Sequence, residues 1–152
     1  MSGERLTRVD IEQVLPHRRP FMFLENVDEL EPGRRAIGTL ADLRDPDFSF
    51  LRGHFPGFGI VPGAIIVEAL AELLGVAAVS GLSEAGDKIG VLVEDKMRYR
   101  QMVRPGDALR LEAEVTNMRR NIGKGSVKAI LGDKVAAEGE ITFALVDKPK
   151  EL

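Results

Sequence analysis

Residues 64–79 constrain this chain more than any other segment: 13 of the 16 are Ala, Val, Ile or Leu, interrupted only by Glu68, Glu72 and Gly75. A helix that is apolar on every side belongs inside a protein, so the rest of the chain must supply a wrapper for it. Pro62 just upstream suits a first-turn position, where its missing N–H costs nothing. At 16 residues with two carboxylates, the run is too short to span a bilayer, which takes about 20 apolar residues.

Candidate wrapping segments show a period of two. Leu109, Leu111, Ala113 and Val115 alternate with Arg110, Glu112, Glu114 and Thr116, while Val135, Ala137, Ile141, Phe143 and Leu145 share one parity. Ile89-Gly-Val-Leu-Val93 is a continuous apolar run, and Gly132-Asp133 reads as a tight hairpin turn. Nearer the start, residues 7–15 read as a short helix, capped by Thr7 or Asp10 and ended by Pro16. Residues 21–30 read as a strand closed by Glu31-Pro32-Gly33, with residues 35–41 as its partner. Residues 42–63 form a long irregular stretch, and a loop of that length within a compact domain is usually functional. One buried helix among half-polar antiparallel strands predicts an α+β fold, a sheet wrapped around a helix. Neither a repeat nor a linker divides the chain, so residues 1–152 are expected to form a single domain.

Composition then removes whole classes of function. Without cysteine there is no disulfide, thiolate nucleophile or zinc–thiolate site, and two His do not suggest a His-rich metal centre. A net charge of −3, with seven Phe, one Tyr and no Trp, does not describe a nucleic-acid binder. Residues 1–10 lack the apolar core of a signal peptide. The expectation is a soluble cytoplasmic protein with neither nucleic acid nor membrane as partner.

Few side chains are equipped for chemistry. No Ser sits in a Gly-x-Ser-x-Gly elbow, and Gly53-His-Phe-Pro-Gly-Phe-Gly59 lacks the lysine and spacing of a phosphate loop. His54 lies in that loop, ahead of the apolar helix, and its imidazole titrates near neutrality when unperturbed. Glu68 stands on the helix, where a carboxylate must be paired, neutralised or turned toward a cavity, and burial would make it a proton donor. A hydrogen-bonded loop histidine and an ion-paired or solvent-facing Glu68 are the plainer readings. Glu72 shares the Glu68 face at i+4 and is expected to lead outward into solvent. The helix start at Gly63 presents unpaired N–H groups that can receive a developing oxyanion. Imidazole, carboxyl and N–H donors together suit proton transfer alpha to a carbonyl, with loss or gain of a beta substituent.

At these residues the chain resembles a known family. Leu15-Pro-His-Arg-Arg-Pro-Phe21 and Gly53-His-Phe-Pro-Gly-Phe-Gly-Ile-Val-Pro-Gly-Ala-Ile-Ile-Val-Glu-Ala-Leu-Ala-Glu72 are similar to motifs of the beta-hydroxyacyl-acyl carrier protein dehydratases of type II fatty acid synthesis, the FabZ type. The likeness continues through Arg98, Pro105-Gly106-Asp107 and Arg119-Arg120 to the closing hairpin. It implies a hotdog fold, a long central helix wrapped by an antiparallel sheet. It also implies a homodimer, often assembled as a trimer of dimers, whose active sites take His54 from one subunit and Glu68 from the other. By the same likeness His54 would remove the C2 proton of a 3-hydroxyacyl thioester, and Glu68 would protonate or orient the leaving hydroxyl. The Gly63 N–H would hold the thioester oxygen, with Phe55, Ile60 and Pro62 lining the substrate site and His17 structural. Neither cofactor nor metal is implied, since the substrate arrives on phosphopantetheine.

The chain departs from the family pattern at three places. Glu72 stands where Gln is usual, Gly59 replaces a frequent Pro and should loosen its loop, and Ile89-Gly90-Val91 replaces the aromatic cluster that gates the acyl tunnel. The tunnel is therefore expected to be wider or less gated. An acidic acyl carrier protein, the implied partner, would need a basic entrance, for which Arg98, Arg100, Arg104, Arg119, Arg120 and Lys124 are candidates. Two other functions fit the same fold: an acyl thioesterase, and a non-catalytic acyl-binding or assembly subunit.

Overall fold

The computed structural model describes residues 4–82 and 87–150. Its elements are β1 (Glu4–Leu6), α1 (Arg8–Val14), β2 (Leu24–Glu31), β3 (Arg35–Leu40), a 3-10 segment (Pro46–Gly53), α2 (Gly63–Val79), β4 (Lys88–Tyr99), β5 (Leu109–Arg119), β6 (Ile122–Leu131) and β7 (Lys134–Asp147). The strands form one antiparallel sheet in the order β1-β2-β3-β5-β6-β7-β4.

The sheet curls around α2, which packs on β2, β3, β4, β5 and β6. Leu70, Leu73, Leu74, Val76 and Ala77 of α2 are fully buried, and so are Leu109, Leu111 and Ala129 of the facing strands. The predicted alternation holds: Leu109, Leu111 and Ala113 face the helix, and their charged neighbours do not. The β2–β3 turn is tied to the helix as well, because the Gly33 N–H donates to the Ala77 carbonyl at 2.7 Å. At the start of α1 the Asp10 carboxylate reaches back to the N-cap residue, accepting from both the Thr7 N–H and its hydroxyl at 2.9 Å.

Two segments differ from expectation. The first long strand begins at Leu24 rather than at residue 21, because the Phe23 N–H is taken by the Glu72 side chain and not by a neighbouring strand. Residues 42–63 are not wholly irregular, since Pro46–Gly53 winds into 3-10 turns started by Asp45, whose side chain accepts from the Asp47 N–H.

The β4 strand is the sheet edge opposite β1. Its residues Val91, Leu92 and Val93 are 47%, 50% and 57% exposed. A long apolar edge strand left open is a template for pairing with another chain. Among the described residues, no helix is long and apolar enough to cross a membrane.

Candidate active site

The Leu15–Phe21 motif forms a strap across the face of α2. Pro16 ends α1, and the Arg18 guanidinium donates to the Leu15 and His17 carbonyls at 3.0 and 2.7 Å. Arg19 pins the strap to the 3-10 segment: it pairs with Asp45 and Asp47 at 3.3 Å and lies 4.8 Å from the centre of the Phe48 ring. The strap thereby lays His17 over the two glutamates of α2. His17 Nε2 is 3.3 Å from Glu68 Oε2 and 4.0 Å from Glu72 Oε2.

The two carboxyls lie in opposite surroundings. Glu68 keeps about a quarter of its side chain exposed (27%), whereas the Glu72 side chain is at 0%. The expectation of a solvated Glu72 is therefore overturned: the face it shares with Glu68 is covered by the strap, and the Phe23 N–H donates to Glu72 Oε1 at 2.9 Å. Its other oxygen, Oε2, is buried without a hydrogen-bond partner. Burial pushes the Glu72 carboxyl up to about 9; the Phe23 hydrogen bond opposes the shift, and the Glu68 charge adds to it. Burial thus acts on Glu72, the carboxyl that the sequence reading left in solvent. His17 was expected to be structural only, and its contact with Glu68 was missed. The available signal was the i, i+4 spacing of the glutamates, which lets one neighbour reach both.

A slot opens beside these groups. It is lined by Leu15, His17, Glu68, Ala71, Gly75, Ile89, Gly90, Leu92 and Phe143, with Glu72 at its polar end. The run Ile89-Gly90-Val91, expected beside an acyl tunnel, thus contributes its first two residues to an apolar wall next to Glu68. His17, Glu68 and Glu72 bring three possible ligand atoms within 4.8 Å of one another. With Glu72 carrying its proton they make a hydrogen-bonding cluster better than a cation cage.

His54 sits elsewhere in the same chain. The loop around it is stapled: the Phe55 and Phe58 backbones exchange hydrogen bonds at 2.9 and 3.0 Å, and the Ile60 N–H donates to the His54 carbonyl at 2.9 Å. Gly57 turns the loop at φ +77°, in the left-handed region that favours glycine. Gly59, expected to loosen the loop, lies against Pro105, whose ring would be 3.2 Å from an added Cβ. The Phe55 ring stacks on the imidazole with centroids 4.4 Å apart. His54 Nδ1 is 2.9 Å from the Ile60 carbonyl oxygen. A carbonyl can only accept, so Nδ1 carries the hydrogen, and the neutral ring held this way has its lone pair on Nε2.

Gly63 opens α2, and its Cα lies so close to Tyr99 that a Cβ would meet the ring at 3.1 Å. Ile60, Gly63, Ile66, Tyr99 and Met102 line a shared groove, while Phe55 lines a separate one with Phe58 and Pro105. Pro62 is the residue immediately before the helix. Within one chain His54 and Glu68 are not paired, and His54 does not line the slot that Glu68 lines.

The candidate basic residues are divided in a single chain. Arg98 and Arg100 lie at or just past the end of β4, while Arg119 and Arg120 lie at the β5–β6 turn, which pairs through β7 with the start of β4. Arg100 is paired with Glu138 at 2.7 Å and Lys124 with Glu140 at 3.6 Å, and Arg104 lies 4.5 Å from the centre of the Phe58 ring.

With this geometry in view, residues 15–140 match the FabA-like domain family. The chain is 43% identical over 141 residues to a protein of Clostridioides difficile strain 630, described as 3-hydroxyacyl-[acyl-carrier-protein] dehydratase FabZ, covering 91% of this chain and 96% of that one. The chain belongs to the FabZ family. A second FabZ, from Roseiflexus castenholzii, is 46% identical over 138 residues, covering 90% of this chain and 94% of its own. Among solved structures, the dehydratase heterocomplex ApeI:P from Xenorhabdus doucetiae superposes with a TM-score of 0.75 at 20% identity, covering 93% and 92% of the two chains. FabZ membership and the wrapped helix together establish the hotdog fold.

Proposed function

We propose that this protein dehydrates 3-hydroxyacyl thioesters carried on acyl carrier protein to trans-2-enoyl thioesters, with His54 of one subunit as base and Glu68 of the other as acid. The observation that carries the reading is the hydrogen bond fixing His54 Nδ1 on the Ile60 carbonyl at 2.9 Å. It commits the imidazole to the tautomer whose Nε2 can accept a proton, and the stacked Phe55 holds the ring in place. Support for the substrate class comes from the FabZ relatives, whose names state it.

His54 Nε2 takes the C2 proton, and the C2–H electron pair becomes the C2=C3 double bond. The C3–O bond breaks with its electrons on oxygen, which takes the proton of Glu68 and leaves as water. Charge that builds on the thioester oxygen meets the N–H groups at the start of α2, Gly63 first. The proton on His54 then passes to Glu68 and resets the site. Because His54 and Glu68 are apart in one chain, the reaction calls for two; the open apolar edge of β4 supplies a surface on which a second copy can pair.

The test is an assay of 3-hydroxyacyl thioesters across chain lengths, on acyl carrier protein and on coenzyme A, read by enoyl absorbance with free thiol followed in parallel. Enoyl product in the wild type and its near-complete loss in His54→Ala and Glu68→Gln is the expected result. Thiol release without enoyl product would make the protein a thioesterase. Saturable acyl binding without either product would make it a binding subunit.

A further inference from the structure

Glu72 is a buried titratable group to which the proposed reaction gives no task. Its Oε1 accepts the Phe23 N–H, so in the neutral acid the hydrogen belongs on Oε2. That oxygen is buried, has no partner, and lies in the cluster whose three atoms fall within 4.8 Å of one another. An ionised, acceptor-only Oε2 there would face the Glu68 carboxyl one helical turn away, and a second negative charge once Glu68 has given up its proton. A hydroxyl in its place presents a donor to that carboxyl. Three other titratable groups line the same slot: His17 from the strap, Glu68 on α2, and Lys88 at the start of β4, itself 2.6 Å from Asp147. Burial keeping the Glu72 proton in place at neutral pH agrees with this arrangement.

We propose that Glu72 is a positioning residue: a carboxylic acid whose O–H faces the His17–Glu68 pair and steadies the Glu68 carboxylate that forms when the substrate hydroxyl departs. The proposal rests on the dehydratase reading. When Glu68 has given its proton to the leaving oxygen, its negative charge is met by the Glu72 O–H beside the His17 ring, whose Nε2 is 3.3 Å from Glu68 Oε2. The Phe23 N–H fixes the Glu72 carboxyl, and the strap carries His17. The carboxylate keeps its direction into the slot until the proton from His54 returns.

The experiment measures kcat and KM against pH for the wild type, Glu72→Gln and Glu72→Met, together with infrared spectra of the wild type and Glu72→Gln. Gln keeps the shape and an N–H donor, so it should retain at least a third of wild-type kcat and lose the alkaline fall that the wild type shows as Glu72 ionises. Met keeps only the volume and should lose tenfold or more in kcat with KM little changed. The wild type should show a protonated-carboxyl stretch at pH 7 that Glu72→Gln lacks. Wild-type kcat in Glu72→Met, an unchanged alkaline limb in Glu72→Gln, or no such band would each overturn the proposal. Should Glu72→Met fail to fold, the Gln profile and the spectrum decide. Failure of the dehydratase reading is separate and visible: the wild type itself would then form no enoyl product.

Discussion

The Phe23 N–H and the Glu72 carboxyl, 49 residues apart, are joined by a hydrogen bond of 2.9 Å that ties the strap before β2 to the middle of α2. The bond replaces a strand–strand bond at Phe23, fixes where β2 starts, and buries one of two neighbouring glutamates while leaving the other on the slot. Local strand geometry, helix burial and the electrostatics of the site meet at this contact.

The first prediction concerns stability and pH. The Glu72 carboxyl is pushed up to about 9 in the folded chain from an ordinary 4.5, so the folded state holds this proton more tightly than the unfolded one. Its contribution is complete below the unfolded value and is lost as pH rises toward the folded value. Glu72→Gln does not titrate. Thermal melts should therefore find the variant more stable than the wild type near pH 8.5, with the difference shrinking or reversing near pH 5; a gap independent of pH would contradict the shift.

Much of this was legible beforehand. The apolar run 64–79 demanded a wrapped helix, and the alternation from Leu109 to Val115 named the wall facing it; both follow from periodicity, which depends only on neighbours along the chain. Glu72 was misread for the opposite reason. Nothing local distinguishes it from Glu68: the strap lies over both, but only Glu72 is sealed by it, through a contact between residues 49 positions apart. The place of His17 was hidden in the same way. The loop around His54 was legible as special from its glycines and proline, but its pinning by Ile60 was not.

A second prediction tests the edge of the sheet. Gly139 pairs with Met97, and a Cβ there would lie 2.0 Å from the Lys96 carbonyl oxygen and 2.8 Å from Met97 Sδ. Gly139→Ala must push β4 off β7, at a cost of about 1–3 kcal/mol. Urea denaturation measures it, and a variant as stable as the wild type would refute the tight approach.

A third concerns the second copy. Val93 is 57% exposed on β4, and a lysine there should disfavour pairing of two such edges. Light scattering should show a dimer or larger for the wild type, a shift toward the monomer mass for Val93→Lys, and lower activity with it. An unchanged mass would locate the interface elsewhere.

A fourth concerns chain length. Gly90 lines the slot beside Glu68, and the nearest atom to an added Cβ is Leu145 Cδ2 at 4.0 Å, so there is room for a side chain. Gly90→Phe should occupy the slot, lowering kcat/KM tenfold or more for long acyl chains while short ones change little. Equal effects at all lengths would mean that the acyl chain runs elsewhere.

The central claim, a site built from His54 of one chain and Glu68 of another, is tested most directly by mixing two inactive variants. His54→Ala and Glu68→Gln, unfolded together and refolded at equal concentration, should regain a substantial fraction of wild-type dehydration, because each mixed dimer holds one intact pair. If mass spectrometry finds the mixed dimers and they remain inactive, the two-chain site is wrong.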